Sequence, residues 1–271
     1  MNFSFIKTQA LGNDFVILDQ RHHPLTLSES QIKMLADRRS GIGCDQVIVI
    51  EEPRRPKTAA FVRFFNANGS ESEACGNGTR CVALLLMQED ETSLMLETMA
   101  GLLPIHRSAA GVISVNMGQP KFDWQDIPLD RPRNTLDLSL RYQGVSKPVA
   151  VNMGNPHLVF FVADLNQVSI AKIGSKFECH PWFPRHVNVG FAQVLSNQQI
   201  RLKVWERGVG LTPACGSGAC AAVAAAHKRS LTGRQVSVLV DGGTIEIDWQ
   251  KESLWMAGPA AFAFTGKINL K

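Results

Sequence analysis

The sequence predicts an α+β fold of two pseudo-symmetric domains, each a curled, mostly antiparallel β-sheet or barrel around one central buried helix. Three observations carry this expectation. A pair of motifs occurs once in each half of the chain in the same order. Most of the remaining apolar segments are short and strand-like. Each half also holds a run of small and apolar residues with no polar side, and a helix apolar all round has to be enclosed.

The repeat comes first. Gly12-Asn13-Asp14-Phe15 precedes Ala74-Cys75-Gly76-Asn77-Gly78, with 63 positions from Gly12 to Cys75. Gly154-Asn155-Pro156-His157 precedes Ala214-Cys215-Gly216-Ser217-Gly218, with 61 positions from Gly154 to Cys215. Amphipathic helical patterns follow the first landmark of each pair, at residues 28–38 and 168–177. Gly43-Cys44-Asp45-Gln46-Val47 is aligned with Gly190-Phe191-Ala192-Gln193-Val194, and the strand at 61–65 with that at 202–205. Asn66 and Glu206 each stand nine positions before their cysteine.

The enclosed helices are read at Cys81-Val82-Ala83-Leu84-Leu85-Leu86-Met87 and at Cys220-Ala221-Ala222-Val223-Ala224-Ala225-Ala226. Residues 45–50, 94–98, 112–117, 149–153, 158–162, 236–240, 244–249 and 253–256 read as strands. Gly118-Gln119-Pro120 breaks regular structure. It divides an N-terminal domain, residues 1–118, from a C-terminal domain, residues 119–259, with residues 260–271 returning to complete the first.

Composition narrows the function classes. Of 271 residues, 45% are hydrophobic and 19% charged, the mix of an ordinary globular protein. The net charge of +4 is scattered, and the Arg54-Arg55-Pro56-Lys57 cluster is a solvated loop rather than a nucleic-acid stripe. The N-terminus lacks a signal-peptide pattern, and the longest apolar run is too short to span a bilayer. A cytoplasmic protein with no nucleic-acid or membrane partner is expected, its six cysteines reduced.

Cys75 and Cys215 are each placed at the start of an enclosed helix. There, unpaired backbone N–H groups and the positive end of the macrodipole favour a thiolate and bind a carboxylate. Flanking glycines admit a ligand to the backbone, while packing alone has no need of them. A single buried cysteine is ordinarily a packing residue; two at matched positions of a repeated unit point to chemistry. The spacings Cys75 to Cys81 and Cys215 to Cys220 do not match CxxC zinc or thioredoxin patterns, so no metal is expected. Cys44, Cys81, Cys179 and Cys220 are read as packing residues. Two opposed bases, one thiolate and one thiol, are what inversion at a carbon requires.

At this point the motifs resemble the diaminopimelate epimerase family over nearly the whole chain. They are Ala10-Leu11-Gly12-Asn13-Asp14-Phe15, Gly43-Cys44-Asp45-Gln46, Phe65-Asn66-Ala67-Asn68-Gly69-Ser70-Glu71, the two cysteine motifs, Gly154-Asn155-Pro156-His157, Asn188-Val189-Gly190-Phe191 and Trp205-Glu206-Arg207-Gly208-Val209-Gly210-Leu211-Thr212. The resemblance implies cofactor-independent epimerisation, without pyridoxal phosphate, of LL- to meso-2,6-diaminopimelate in lysine and peptidoglycan precursor biosynthesis, at an interdomain cleft. It implies that Cys75 and Cys215 exchange the proton, with His157 and Glu206 tuning them and orienting the amino group. It further implies substrate contacts from Asn13, Gln46, Asn66, Gly76, Asn77, Asn155, Asn188, Glu206, Arg207, Gly216 and Ser217. The chemistry agrees: Asn and Gln suit a zwitterion, Arg207 can grip a carboxylate and Glu206 an ammonium.

A homodimer is likewise implied, with Phe264 standing where a Tyr is frequent at the dimer contact. Asn68 replaces a usual Asp, and Ser217 a common Thr. Two other readings stay open on the cysteine motif alone: a proline or hydroxyproline racemase, and a noncatalytic amino-acid-binding protein on the same scaffold.

Overall fold

The computed structural model describes every residue except Met1, Pro24, Leu25 and Lys271. The chain divides into two compact units, Met1–Asn116 with Gly258–Lys271, and Met117–Ala257. Along the first unit run β1 (Asn2–Ala10), β2 (Asn13–Asp19), α1 (Glu29–Ala36), β3 (Gln46–Glu51), β4 (Ala60–Asn66), β5 (Glu71–Ser72), α2 (Gly76–Leu86), β6 (Ser93–Thr98), β7 (Gly101–Arg107) and β8 (Ile113–Asn116). The second holds β9 (Arg141–Tyr142), β10 (Val145–Ser146), β11 (Val149–Asn152), β12 (Pro156–Phe161), α3 (Ile170–Glu178), β13 (Asn188–Ser196), β14 (Gln199–Glu206), β15 (Gly210–Thr212), α4 (Gly216–Lys228), β16 (Gln235–Val240), β17 (Gly243–Trp249) and β18 (Leu254–Ala257). The last strand, β19 (Ala261–Asn269), runs antiparallel to β1 in the first unit.

Both units are built on one plan. Neighbouring strands pair antiparallel except where a helix intervenes, because a parallel pair needs a long crossover. Helix α1 carries the chain from β2 to its parallel neighbour β3, and α2 from β4 to β6. In the second unit α3 connects β12 to β13 and α4 connects β14 to β16, again in parallel. Alternation along the strands assigns the faces. Val16, Leu18, Val47, Val49 and Phe65 pack with Ile32, Leu35 and Ala36 of α1. Ile48 and Phe64, on the opposite face, meet α2 at Gly78.

The register corrects one part of the repeat. Phe15 lies opposite Gln46, and Gln46 opposite Asn66. His157 lies opposite Asn188, and Val189 opposite Trp205, which sets Asn188 against Glu206. Gln46 therefore corresponds to Asn188, not to Gln193. The connections leading into the two strands, residues 37–45 and 179–187, are equal in length; the shared Gly and Gln-Val letters were a coincidence of composition.

Three further expectations change. Gly78 and Gly218 serve packing: a Cβ on Gly78 would lie 2.9 Å from both Ile48 and Phe64, and one on Gly218 2.8 Å from Val204. Enclosure is complete along α4 from Gly218 to Ala226, whereas Leu84, Leu85 and Leu86 of α2 are half-buried and Arg80 is wholly buried. Cys179 is exposed rather than packed, with Sγ 3.8 Å from His186 Nδ1. No helix among the described residues is long and apolar enough to cross a membrane.

Candidate active site

In the first unit, a tight turn with Leu11 and Gly12 at φ 58° and 82° reverses the chain so that Asn13 opens β2. Asn13 Nδ2 donates to Asp45 Oδ2 at 2.8 Å, and its Oδ1 accepts from Asn77 Nδ2 at 3.3 Å. Gln46 Nε2 donates to Asn66 Oδ1 at 2.9 Å, while Gln46 Oε1 is buried with no partner among the described residues. Cys75 is the N-cap of α2, in extended conformation, and its Sγ accepts from the Gly78 amide at 3.4 Å. Asn13–Asn77 and Gln46–Asn66 are thus two hydrogen-bonded carboxamide pairs, the first of them on the opening turn of the helix that Cys75 caps.

Beneath Asn13 lies a charged group that the sequence reading did not single out. Asp14 takes hydrogen bonds from Lys7 at 2.6 Å and from Arg38 at 2.6 and 3.0 Å; Arg38 also reaches Asp45 at 2.9 Å. Lys7 donates in addition to the Gly43 carbonyl. Burial alone would raise the Asp14 pKa, but the Arg38 and Lys7 contacts outweigh it and hold the carboxyl at about 2. The only local signal was acidic residues at the mouths of two apolar strands.

The second unit supplies the corresponding set with different chemistry. Cys215 is the buried N-cap of α4, its Sγ 3.7 Å from Ser217 Oγ. His157, 1% exposed, brings Nε2 to 3.1 Å from Ser217 Oγ and 2.8 Å from Asn155 Oδ1. Asn188 donates to the Pro156 carbonyl at 3.0 Å and accepts from the Arg207 amide at 2.9 Å. Glu206 Oε1 accepts from Thr212 Oγ1 at 2.5 Å.

Electrostatics correct the expectation of an acidified thiol at Cys215. Burial, followed by the Glu206 carboxylate, pushes its pKa well above the ordinary thiol value, and the opposing contributions of the Gly218 amide and Ser217 hydroxyl are smaller. Helix position favours a thiolate, but desolvation beside a carboxylate wins. Burial and then the Arg207 charge hold His157 down to about 3, so its ring is neutral. Buried Cys44 and Cys81 are pushed up to about 12 and about 11, in keeping with packing roles.

Comparison with known proteins shows the family. The family model described as diaminopimelate epimerase matches residues 5–122 and 149–263. A diaminopimelate epimerase of Acidiphilium cryptum (strain JF-5) is 49% identical over 267 residues, covering 98% of this chain and 96% of that one. One from Phenylobacterium zucineum (strain HLK1) is 47% identical over 274 residues, covering 99% and 98%. Among solved structures, a hydroxyproline epimerase from Agrobacterium vitis superposes with a TM-score of 0.71 at 16% identity, covering 98% of this chain and 92% of that one. A PhzF-family protein of Bacillus anthracis gives 0.68 at 17% identity, with both chains fully covered. These two share the fold alone. With the family model spanning both units and such relatives matched end to end, the chain belongs to the diaminopimelate epimerase family, isomerases of lysine biosynthesis that convert LL- to meso-2,6-diaminopimelate.

Proposed function

We propose that this chain epimerises LL-2,6-diaminopimelate by a two-base mechanism in which Cys75 and Cys215 are the catalytic residues. The observation that carries the proposal is their equivalence. Each is the N-cap of the central helix of one repeated unit, beside strands whose register sets Asn13 with Asn155, Gln46 with Asn188 and Asn66 with Glu206.

Inversion requires the two sulfurs to address opposite faces of the same α-carbon. Cys215, held as a thiol by burial and Glu206, is the donor in the state described. The Cys75 thiolate removes the α-proton: the C–H bond breaks, an S–H bond forms, and the electron pair is left on carbon, delocalised into the α-carboxylate. Cys215 then gives its proton to the opposite face, forming the new C–H bond and becoming the thiolate. First-turn amides at Gly76, Asn77, Gly216 and Ser217 are suited to the carboxylate as its charge grows. Gln46 Oε1 offers a desolvated acceptor to a substrate ammonium. Glu206 is assigned to an ammonium and Arg207 to a carboxylate, while neutral His157 tunes Cys215 through Ser217.

The test is incubation of cofactor-free protein with LL-diaminopimelate in deuterated water. Appearance of α-deuterium in meso product is expected, and loss of inversion in Cys75→Ala and Cys215→Ala. Inversion persisting in either variant would overturn the two-thiol assignment.

Homodimerisation is proposed through β19, where Phe262 and Phe264 are about half exposed and Phe264 meets Phe5 edge-on at 6.1 Å. Phe264→Glu should shift sedimentation toward the monomer. A cytoplasmic setting suits a chain in which no described cysteine is in a disulfide.

A further inference from the structure

Helix α3 ends on a carboxylate, Glu178, where the negative end of the helix dipole disfavours one. What Glu178 contacts explains it. Its Oε2 accepts from the Trp205 indole N–H at 2.7 Å and its Oε1 from the Gly208 amide at 2.7 Å. The two donors flank Glu206 and Arg207, so one carboxylate brackets the turn that presents both side chains.

The approach of the helix is built for this contact. Gly174, one turn before Glu178 and on the same helical face, lies so close to Trp205 that a Cβ would fall 2.6 Å from the indole side chain. The turn is held from other sides as well: the Arg207 amide donates to Asn188 and its guanidinium to the Arg185 carbonyl at 2.9 Å. Gly208 takes φ 74°, a left-handed conformation. Glu178 also lies near Cys179 and His186, with ligand-type atoms within 4.8 Å of one another, but both its oxygens are engaged by the turn.

We infer that Glu178 is a positioning residue that fixes the Glu206–Arg207 turn for substrate. The inference rests on the assignment of Arg207 to a substrate carboxylate. Among the described residues of the first unit nothing corresponds to it: α1 ends at Ala36, followed by Asp37, whose carboxylate caps Arg39 and Ser40 locally.

The experiment compares Glu178→Gln, Glu178→Ala and Arg207→Ala for KM, kcat and thermal midpoint, with amide exchange at Gly208 and the Trp205 indole N–H resonance read by NMR. The two N–H donors sit on different carboxylate oxygens, and glutamine replaces one of these with an NH2 group, so in the same pose one donor faces a donor. Glu178→Gln should raise KM about tenfold with kcat nearly unchanged, speed Gly208 exchange and add nothing further in an Arg207→Ala background. If Arg207→Ala raises KM while both folded Glu178 variants leave KM and Gly208 exchange unchanged, the inference is overturned and the Arg207 assignment stands. If Arg207→Ala leaves KM unchanged, the Arg207 assignment fails instead, and Gly208 exchange in Glu178→Gln alone decides whether Glu178 holds the turn. Equal losses in kcat and thermal midpoint without a rise in KM would also overturn it, by showing a structural role only.

Discussion

His157 Nε2 lies 3.1 Å from Ser217 Oγ, and Ser217 Oγ lies 3.7 Å from Cys215 Sγ, so a neutral imidazole is linked to the buried thiol through one hydroxyl. Asn155 meets the same ring nitrogen with its carbonyl oxygen at 2.8 Å, which sets Nε2 as the protonated nitrogen. The one Nε2–H is then shared between Asn155 Oδ1 and the more distant Ser217 Oγ, which leaves the Ser217 hydroxyl hydrogen to be directed to sulfur. Under the proposed mechanism this link would stabilise the thiolate left at Cys215, in the direction in which the Ser217 hydroxyl already lowers the thiol's pKa.

Ser217→Ala removes that donor. The Cys215 pKa, already raised, should rise further, moving the pH profile of kcat/KM to higher pH by up to about one unit. Ser217→Thr, which keeps the hydroxyl, should restore the wild-type profile. Identical profiles for the alanine and wild-type proteins would remove Ser217 from the link.

Gly78→Ala and Gly218→Ala test the packing role of the second glycine in each cysteine motif. A methyl group at Gly78 would fall 2.9 Å from Ile48 and Phe64, and at Gly218 2.8 Å from Val204 and 3.2 Å from Cys215 Sγ. Forced repacking should lower stability by about 1–3 kcal/mol in urea denaturation, despite the better helix propensity of alanine. Val204→Ala should recover part of the loss in Gly218→Ala, because the clash there is with a side chain.

The cysteine motifs were legible because their signal is local and doubled, and the strands because alternation survives on a sheet with helices on its faces. The charged group under Asn13 was not. Arg38 and Asp14 are 24 positions apart and Lys7 and Gly43 are 36 apart, so only folding makes them neighbours. Glu178 escaped for the same reason: as a helix-terminal carboxylate it looks solvated until Trp205 and Gly208 are seen to share it. At Cys215 the helix start is legible in the sequence, whereas the depth of burial and the nearness of Glu206, which raise the thiol's pKa, are not. Gln46 and Gln193 share a letter but not a place in the sheet, because strand register matches Gln46 with Asn188 in the repeat.

Burial of neutral His157 should make stability depend on pH. Its folded pKa is about 3 against an ordinary 6.5, so the unfolded chain binds a proton that the folded protein refuses. The contribution is complete above pH 6.5 and declines as pH falls toward 3. Between pH 6.5 and 5 it amounts to about 2 kcal/mol. Urea midpoints of wild type and His157→Gln at pH 7.5 and 5.0 should therefore converge in acid, since glutamine does not titrate. Parallel shifts in the two proteins would show that other groups set the slope.

Glu206 has two effects that one substitution separates. Its carboxylate is assigned to a substrate ammonium, and it also raises the Cys215 pKa, behind burial as the largest cause. Glu206→Gln preserves shape and deletes the charge, so the thiol should become more acidic while substrate binding weakens. Both arms are measurable in one protein. Alkylation of Cys215 by iodoacetamide, followed by peptide mass spectrometry to separate it from exposed Cys179, should be faster at pH 8 than in wild type, by about tenfold for each unit of pKa lowered. Epimerisation should drop through a higher KM, because an ammonium would then face a neutral amide. Faster alkylation with unchanged KM would leave Glu206 as a tuner of sulfur only. Unchanged alkylation would mean that burial alone keeps Cys215 protonated and that the adjacent charge is screened from it.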